Sequence, residues 1–227
     1  MIFLDEYFWR DEVTPEQMDR LWAMGWRHFG TYFFRYSISP DRDEIRTVIP
    51  LRIELSSFKP SRSQKRVWQK NQDVQVVIRD AFIDQVKEEL FLRHRARFKD
   101  NVPESLYNFL SDAPATVPCR TKEVCVFHGD KLIAVSFLDL GRDSASSVYA
   151  MFEPAEAKRS LGIFCILASI QYATEHSCRY YYPGYAYREP SVYDYKKNFA
   201  ALQYLDWALG WRPYQAERVG SEDLHDA

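Results

Sequence analysis

The sequence has no excess of positive charge. Its 30 lysines and arginines face 32 acidic residues, a formal net charge of −2, so no global field gathers nucleic acid and any such partner must be held by a local basic patch. It has no CxxC pair either. The four cysteines are Cys119, Cys125, Cys165 and Cys178, and the first two are spaced too widely for the usual zinc knuckle. They read as reduced, mostly buried thiols. No apolar run approaches membrane-spanning length, and the start MIFLDEYFWRDEVTPEQ carries acids inside any would-be apolar region, which argues against a signal peptide. A cytoplasmic protein without membrane contact is expected. Repeats and low-complexity segments are absent as well.

What the chain has in quantity is aromatic rings, which make up 16% of its residues, a high share for a globular protein. Seven of the fifteen tyrosines fall between Tyr180 and Tyr195, in RYYYPGYAYREPSVYDYKKNF, broken by a Pro-Gly pair. Such rings can fill a core or wall a binding site, since each joins a large apolar body to one polar tip. At 227 residues the chain can bury a sizeable core in one larger domain or two packed small ones.

Thr14-Pro15-Glu16 caps a helix whose apolar side is Met18, Leu21, Trp22 and Met24. TYFFRYSI and RTVIPLRIEL read as strands around the turn SPDRDE. After the basic SRSQKRVWQKNQD come a strand VQVVI, a long helix from Ala81 through Arg97 and a helix at PESLYNFL. KEVCVFHGDKLIAVSFLDL is a hairpin turning at Gly129-Asp130, SSVYAMFEP a further strand, EAKRSLGIFCILASIQYATEHSC a helix and RYYYPGY the strand after it. A last helix is expected near NFAALQYLDWAL. The order β-β-β-α-β is that of GNAT-type acyltransferases. The expected fold class is therefore α+β: a GNAT-like core with a mixed, mainly antiparallel sheet and flanking helices over 76–214. A smaller N-terminal α/β region with the basic segment, 1–75, packs against it, and 215–227 is a flexible tail.

Two stretches can carry chemistry. In KRSLGIF, Gly162 at a helix start permits close approach to backbone N–H groups, a ready anion site to which Arg159 adds a fixed cation. The spacing matches the coenzyme A pyrophosphate loop R/Q-x-x-G-x-G/A except that Phe164 replaces the last small residue, and a glycine easing a tight strand-to-helix turn would look the same. In SFKPSRSQKRVWQKNQ, Lys59, Arg62, Lys65, Arg66 and Lys70 stand without an acid between Glu54 and Asp73. On a helix, Arg62, Arg66 and Lys70 share one face with Trp68 turned elsewhere, and such a face can follow a phosphate backbone or simply be solvated.

Four phrases in order, GWRHFGTYFFRY, SFKPSRSQKRVWQKNQDVQV, YAMFEPAEAKRSLGIFCIL and YYYPGYAY followed by YDYKKNF, resemble the aminoacyl-tRNA-protein transferases over about residues 1 to 214. That family includes eukaryotic arginyltransferases and bacterial leucyltransferases. The resemblance implies a GNAT-like fold using aminoacyl-tRNA as co-substrate, no other cofactor, and a protein or peptide N-terminus as acceptor. It implies that Arg62, Ser63, Gln64, Lys65 and Arg66, with Lys70, lie near tRNA phosphate. Arg159, Ser160, Leu161 and Gly162 would face the donor. Tyr149, Tyr182, Gly184, Tyr185 and Lys196 would wall the acceptor pocket. Glu153 is the candidate for binding or deprotonating the incoming ammonium, and Tyr195 for the oxyanion or leaving ribose; Glu153 could equally be a helix-start charge.

Family members carry cysteines before the strand matching VIPLRI, and arginyltransferases carry more near the N-terminus, where a metal or cluster can bind. Here no cysteine precedes Cys119, so no metal is expected. REPSV stands where arginyltransferases have a cysteine before the Tyr-Lys pair, and Ala201 replaces a proline, which leaves acceptor selectivity open. Two other readings remain open: a coenzyme A-dependent acetyltransferase, and a lapsed member kept as a tRNA or N-terminal-peptide binding module.

Overall fold

The computed structural model describes residues 3–41, 44–99 and 102–215. Two sheets organise them. β1 (Asp5–Trp9), β2 (Arg27–Phe29) and β3 (Tyr32–Tyr36) form a small antiparallel sheet in the order β1-β3-β2, with α1 (Pro15–Ala23) between β1 and β2. The α1 start follows its sequence signal. The Thr14 hydroxyl accepts from the Gln17 N–H while the Gln17 side chain accepts from the Thr14 N–H, and Pro15 supplies the preset first turn. Met18 and Trp22 of α1 then pack with Phe33, Cys119 and Tyr182 in a common core cluster.

The remaining elements are β4 (Ile38–Asp41), β5 (Glu44–Glu54), α2 (Arg62–Lys70), β6 (Gln75–Asp80), α3 (Gln85–Arg95), β7 (Arg120–His128), β8 (Lys131–Leu140), β9 (Ser144–Phe152), α4 (Leu161–Glu175), β10 (Tyr180–Tyr187), β11 (Leu202–Asp206) and β12 (Gly210–Pro213). The large sheet runs β12-β11-β5-β10-β9-β8-β7-β6, with β4 beside β5. Its pairs are antiparallel except β9 with β10. This is the mixed, mainly antiparallel α+β fold expected, and β7-β8-β9-α4-β10 is the GNAT order. β5, from the N-terminal 75 residues, lies between β11 and β10, so that region divides between the small sheet and the large one. The tail expected at 215–227 falls, from 216 on, outside the described residues.

α4 is apolar nearly all round because it is covered on both sides. It packs on β7 to β10, and α2 packs on its outer side. Adjacent tyrosines on β10 point to opposite faces of the sheet. Tyr181 joins the core beneath α4, whereas Tyr182 joins the core under α1 and the small sheet.

Three expected helices are corrected. The segment NFAALQYLDWAL contains β11 instead: the edge of β5 offers an open ladder, Leu202 pairs with Ile53 and Tyr204 with Leu51, and Ala201 turns the chain at a positive φ of 55°. The helix expected from Ala81 starts at Gln85, because Ala81 still donates to Thr121 O of the neighbouring strand (3.0 Å) and Asp84 caps the Lys87 N–H. PESLYNFL forms one 3-10 turn, Leu106–Asn108, closed by reciprocal bonds between Ser105 and Asn108.

α3 is anchored by buried charge. The fully buried Lys87 ammonium lies 3.1 Å from both Asp84 and the fully buried Glu123, and Arg79 reaches Glu123 at 2.7 Å. Glu123→Ala would leave the lysine without its buried partner, a change expected to cost about 3–5 kcal/mol. Urea unfolding checks it, and a loss below about 1 kcal/mol would contradict the assignment.

Candidate functional site

β9 and β10 lie side by side only at Ser144–Tyr180, Ala145–Tyr181 and Ser146–Tyr182. Beyond these pairs the strands part. The Pro-Gly pair of the tyrosine-rich stretch accounts for the split. Pro183 has no N–H for the ladder, Gly184 adopts a φ of 100° that side chains avoid, and the register of β10 on β5 shifts between Tyr181 and Gly184. A gap therefore opens in the sheet.

Two cations meet at this gap. The Arg27 guanidinium, from β2, donates to Ser146 Oγ and the Ser147 carbonyl, which uses only part of its five-donor fork. Lys196 Nζ donates to the Tyr185 carbonyl at 3.0 Å. A Cβ on Gly184 would stand 3.2 Å from Lys196 Nζ and 3.8 Å from Arg27 Nη2, so the absence of a side chain there lets the two cations converge. Neither bonds a carboxylate among the described residues, although Asp139, itself bonded to His28, acts on Arg27 through space. Burial, then the nearby Arg27 charge, pushes the Lys196 amine down to about 7. Tyr185 is a fixed wall, its hydroxyl donating to Gly25 O at 2.5 Å and its ring edge-on to Tyr36.

Gly184, Tyr185 and Lys196 thus come together, and Tyr195 adjoins them, 41% exposed, in the turn Asp194–Asn198. Tyr182 lies elsewhere, buried at 5.9 Å from the Trp22 ring and 5.8 Å from Trp211. The tyrosine run is part core and part wall. Tyr149 stacks on Phe109 at 4.0 Å beside α3, and its hydroxyl is buried without a hydrogen-bond partner among the described residues; burial pushes its pKa up to about 12. Glu153 is held by Arg93 at 3.0 Å and Lys131 at 3.3 Å. Burial raises its pKa, but the hydrogen bonds from Lys131 and Arg93 prevail and keep the carboxyl below its ordinary value. So held, it is a weak base and a firm tie between α3 and β8.

α4 begins after Ser160, which has a φ of 58° and makes no side-chain cap, so the first-turn amides have no intrahelical acceptor. A Cβ at Gly162 would meet only Phe152, at 3.8 Å. That approach is open. Arg159, in contrast, is occupied: it grips Asp73 with two bonds of 2.8 Å and Glu156 with another of 2.8 Å, and these hydrogen bonds hold Asp73 down at about 2. The helix start presents uncapped amides, while its expected fixed cation is already neutralised.

On α2, Arg62, Ser63, Lys65, Arg66 and Lys70 are exposed and Gln64 is buried. The Gln64 amide accepts from the Ser61 N–H and donates to Asn198 O at 3.2 Å, which ties α2 to the turn carrying Lys196. Lys70 donates to Lys158 O and Asn71 to Arg159 O, both at 2.9 Å. The basic helix is thereby fixed between the cation pair and the start of α4. Gln64 faces inward, and its neighbours on the helix are the ones open to solvent.

Arg27 does not stand out from the sequence. Its signal lies in GWRHFG, one of the phrases carrying the family resemblance. Beside it, His28 Nε2 meets Asp139 at 2.7 Å, His28 Nδ1 meets Gly30 O at 2.9 Å, and Thr121 donates to the other Asp139 oxygen at 2.6 Å. Cys119 Sγ is 4.0 Å from His28 Nε2, and the three ligand-type atoms lie within 4.8 Å of one another, all buried.

A sheet split beside an open helix start, in this strand order, defines a protein of the GNAT-like fold class. The family follows from sequence comparison. Family models described as arginine-tRNA-protein transferase, N terminus and C terminus, match residues 4–66 and 82–206. An aspartate/glutamate leucyltransferase of Hahella chejuensis is 32% identical over 199 residues, 86% of this chain and 82% of that protein. One of Helicobacter hepaticus is 30% identical over 207 residues, 88% of this chain and 83% of that protein. The chain belongs to the arginine-tRNA-protein transferase family, and is an aminoacyl-tRNA-protein transferase. Solved structures resemble it loosely: L-PGS from Bacillus licheniformis has a TM-score of 0.49 at 10% identity, covering 82% of this chain and 55% of that one, and FemX 0.46 at 12%, covering 83% and 65%. Among the described residues no helix is long and apolar enough to cross a membrane.

Proposed function

We propose that the protein transfers leucine from charged tRNA to proteins beginning with aspartate or glutamate, and that Arg27 and Lys196 seat the acceptor's side-chain carboxylate. The observation carrying this reading is a pair of converging cations that no carboxylate among the described residues bonds directly, Asp139 near Arg27 being taken up by His28 and Thr121. Buried charge of one sign calls for a ligand of the other, and relatives named for aspartate and glutamate supply it.

The reaction needs positioning more than covalent help. The acceptor's α-amine, with an ordinary pKa of about 7.7–8.0, is partly neutral at physiological pH. Its nitrogen attacks the ester carbonyl, the carbon–oxygen bond to the ribose breaks, and the ribose oxygen leaves with the proton lost by the amine. Alignment supplies proximity. The first amides of α4, or the Tyr195 hydroxyl, would donate to the developing oxyanion or the leaving ribose. Glu153 fits an anchoring role better than that of base. The occupied Arg159 and the burial of Phe164 against Trp68 at 5.1 Å speak against coenzyme A as donor. Such a donor substrate also suits a cytoplasmic protein.

Individually charged tRNAs, offered with peptides differing only in the first residue, test the reading. Leucine transfer to Asp and Glu peptides is expected. Transfer of another amino acid, or equal use of Asn and Gln peptides, would refute it.

Exposed basic residues on α2 would carry the phosphate contacts. Arg62→Ala with Arg66→Ala is expected to weaken tRNA binding and flatten the log–log salt slope by roughly one unit for each phosphate no longer engaged. An unchanged slope in a folded variant would remove α2 from the interface. No metal is needed: a structural site takes four ligands, and His28 and Asp139 already bond each other. Elemental analysis is expected to find no stoichiometric zinc or iron, and one equivalent whose chelation unfolds the protein would reverse this.

A further inference from the structure

Antiparallel sheets with one face on the core carry polar residues on the other. The small N-terminal sheet carries mostly rings there. Its inner face sets Phe8 against Phe33 at 4.9 Å and His28 against Phe33 at 4.8 Å. On its outer face, register places Trp9 and Phe29 on either side of Tyr32, Tyr7 and Arg27 on either side of Phe34, and Asp5 opposite Tyr36. Trp9 is 64% exposed and Tyr7 59%, while Tyr32, Phe34 and Tyr36 are half-buried.

The rings form a continuous path. Trp9 lies 5.1 Å from Tyr32, Tyr32 5.8 Å from Phe34, Phe34 5.9 Å from Tyr36, and Tyr36 5.3 Å from Tyr185, the wall of the cation pair. Arg27 leaves the same face to bond Ser146 and Ser147 in the gap. An aromatic track therefore descends from solvent to the reaction site.

We propose that this face carries the unpaired 3′ end of the charged tRNA, its bases stacking on Trp9, Tyr7 and Tyr32 while the esterified terminus enters the gap beside Arg27. The inference rests on aminoacyl-tRNA being the donor. Every base has a flat π-face, so aromatic side chains hold single strands whatever their sequence. A duplex is gripped by its phosphates, and that work falls to the basic helix α2. The two surfaces divide one ligand: α2 takes the paired stem by charge, and the aromatic face takes the single strand by stacking.

The test compares intact tRNA with tRNA trimmed of its unpaired 3′ nucleotides, using wild type and a Tyr7→Ala, Trp9→Ala double variant. Both residues are exposed, so folding should survive, and a thermal melt verifies it. Trimming is expected to weaken wild-type binding by roughly tenfold or more for each stacked base removed. The double variant should bind intact tRNA more weakly by a similar factor, lose little more on trimming, and keep the wild-type salt slope. Trp9→Phe, which retains a ring, should stay near wild type. If the double variant remains as sensitive to trimming as wild type, the proposal is overturned. The same follows if tRNA binding is unchanged and the acceptor peptide KM rises, since the face would then belong to the acceptor. Should wild type bind neither RNA, the donor reading itself fails, an outcome distinct from both.

Discussion

Lys196→Met is expected to lower kcat/KM for peptides beginning with Asp or Glu by about 10- to 100-fold, the worth of a charge-assisted hydrogen bond in a partly desolvated site. Peptides beginning with Asn or Gln should lose far less, so discrimination between acid and amide shrinks. Wild-type pH dependence gives a second readout. With its amine near 7, Lys196 loses charge as pH rises through that value, and KM for acidic acceptors should climb while the reacting α-amine becomes a better nucleophile. In the variant the KM increase should vanish. Loss of folding is not the expected cause. Because the folded pKa lies below the ordinary lysine value of about 10.4, the unfolded chain binds more protons between them, and this lysine's contribution to stability rises with pH from about 7 to about 10. At neutral pH methionine removes a burden. An unchanged Asp-to-Asn ratio, with activity equally reduced for all acceptors, would show that Lys196 does not read the carboxylate.

Much of this site is legible where chemistry and local rules coincide. The helix cap at Thr14 and the β-β-β-α-β order are local signals, and each appears at its expected place in the structure. What stays hidden is tertiary. Gln64 reads as one more polar residue in a basic helix, but its inward turn depends on Asn198, 134 residues away. Arg159 reads as a free cation because Asp73 stands 86 residues earlier in the chain. Arg27 reads as one arginine among many, and its place beside Lys196 requires a small sheet to dock across a gap that only β10 creates. The wrong helix at Leu202 has the same origin: its two buried leucines stand three apart, a helical spacing, and the open edge of β5 overrides it with a strand.

Gly162→Val should separate donor binding from transfer. The substitution is mild for the fold: an added Cβ meets only Phe152 at ordinary contact distance, and valine is a better helix former than glycine by roughly a few tenths of a kcal/mol. Its isopropyl group, however, would stand over the uncapped amides of α4, where the ester carbonyl must approach for its oxyanion to be stabilised. Losing one such donor is worth roughly 100- to 1,000-fold in rate, so kcat should fall by about that factor. tRNA affinity should change little, because the added Cβ meets only Phe152 and leaves the exposed charges of α2 that would hold the duplex untouched. Were coenzyme A the donor, the same valine would abolish donor binding, since its pyrophosphate depends on these amides and no basic helix compensates. A stable Gly162→Val protein with unaltered transfer would mean that the helix start is structural and that the oxyanion is stabilised elsewhere, leaving the Tyr195 hydroxyl as the group to test next.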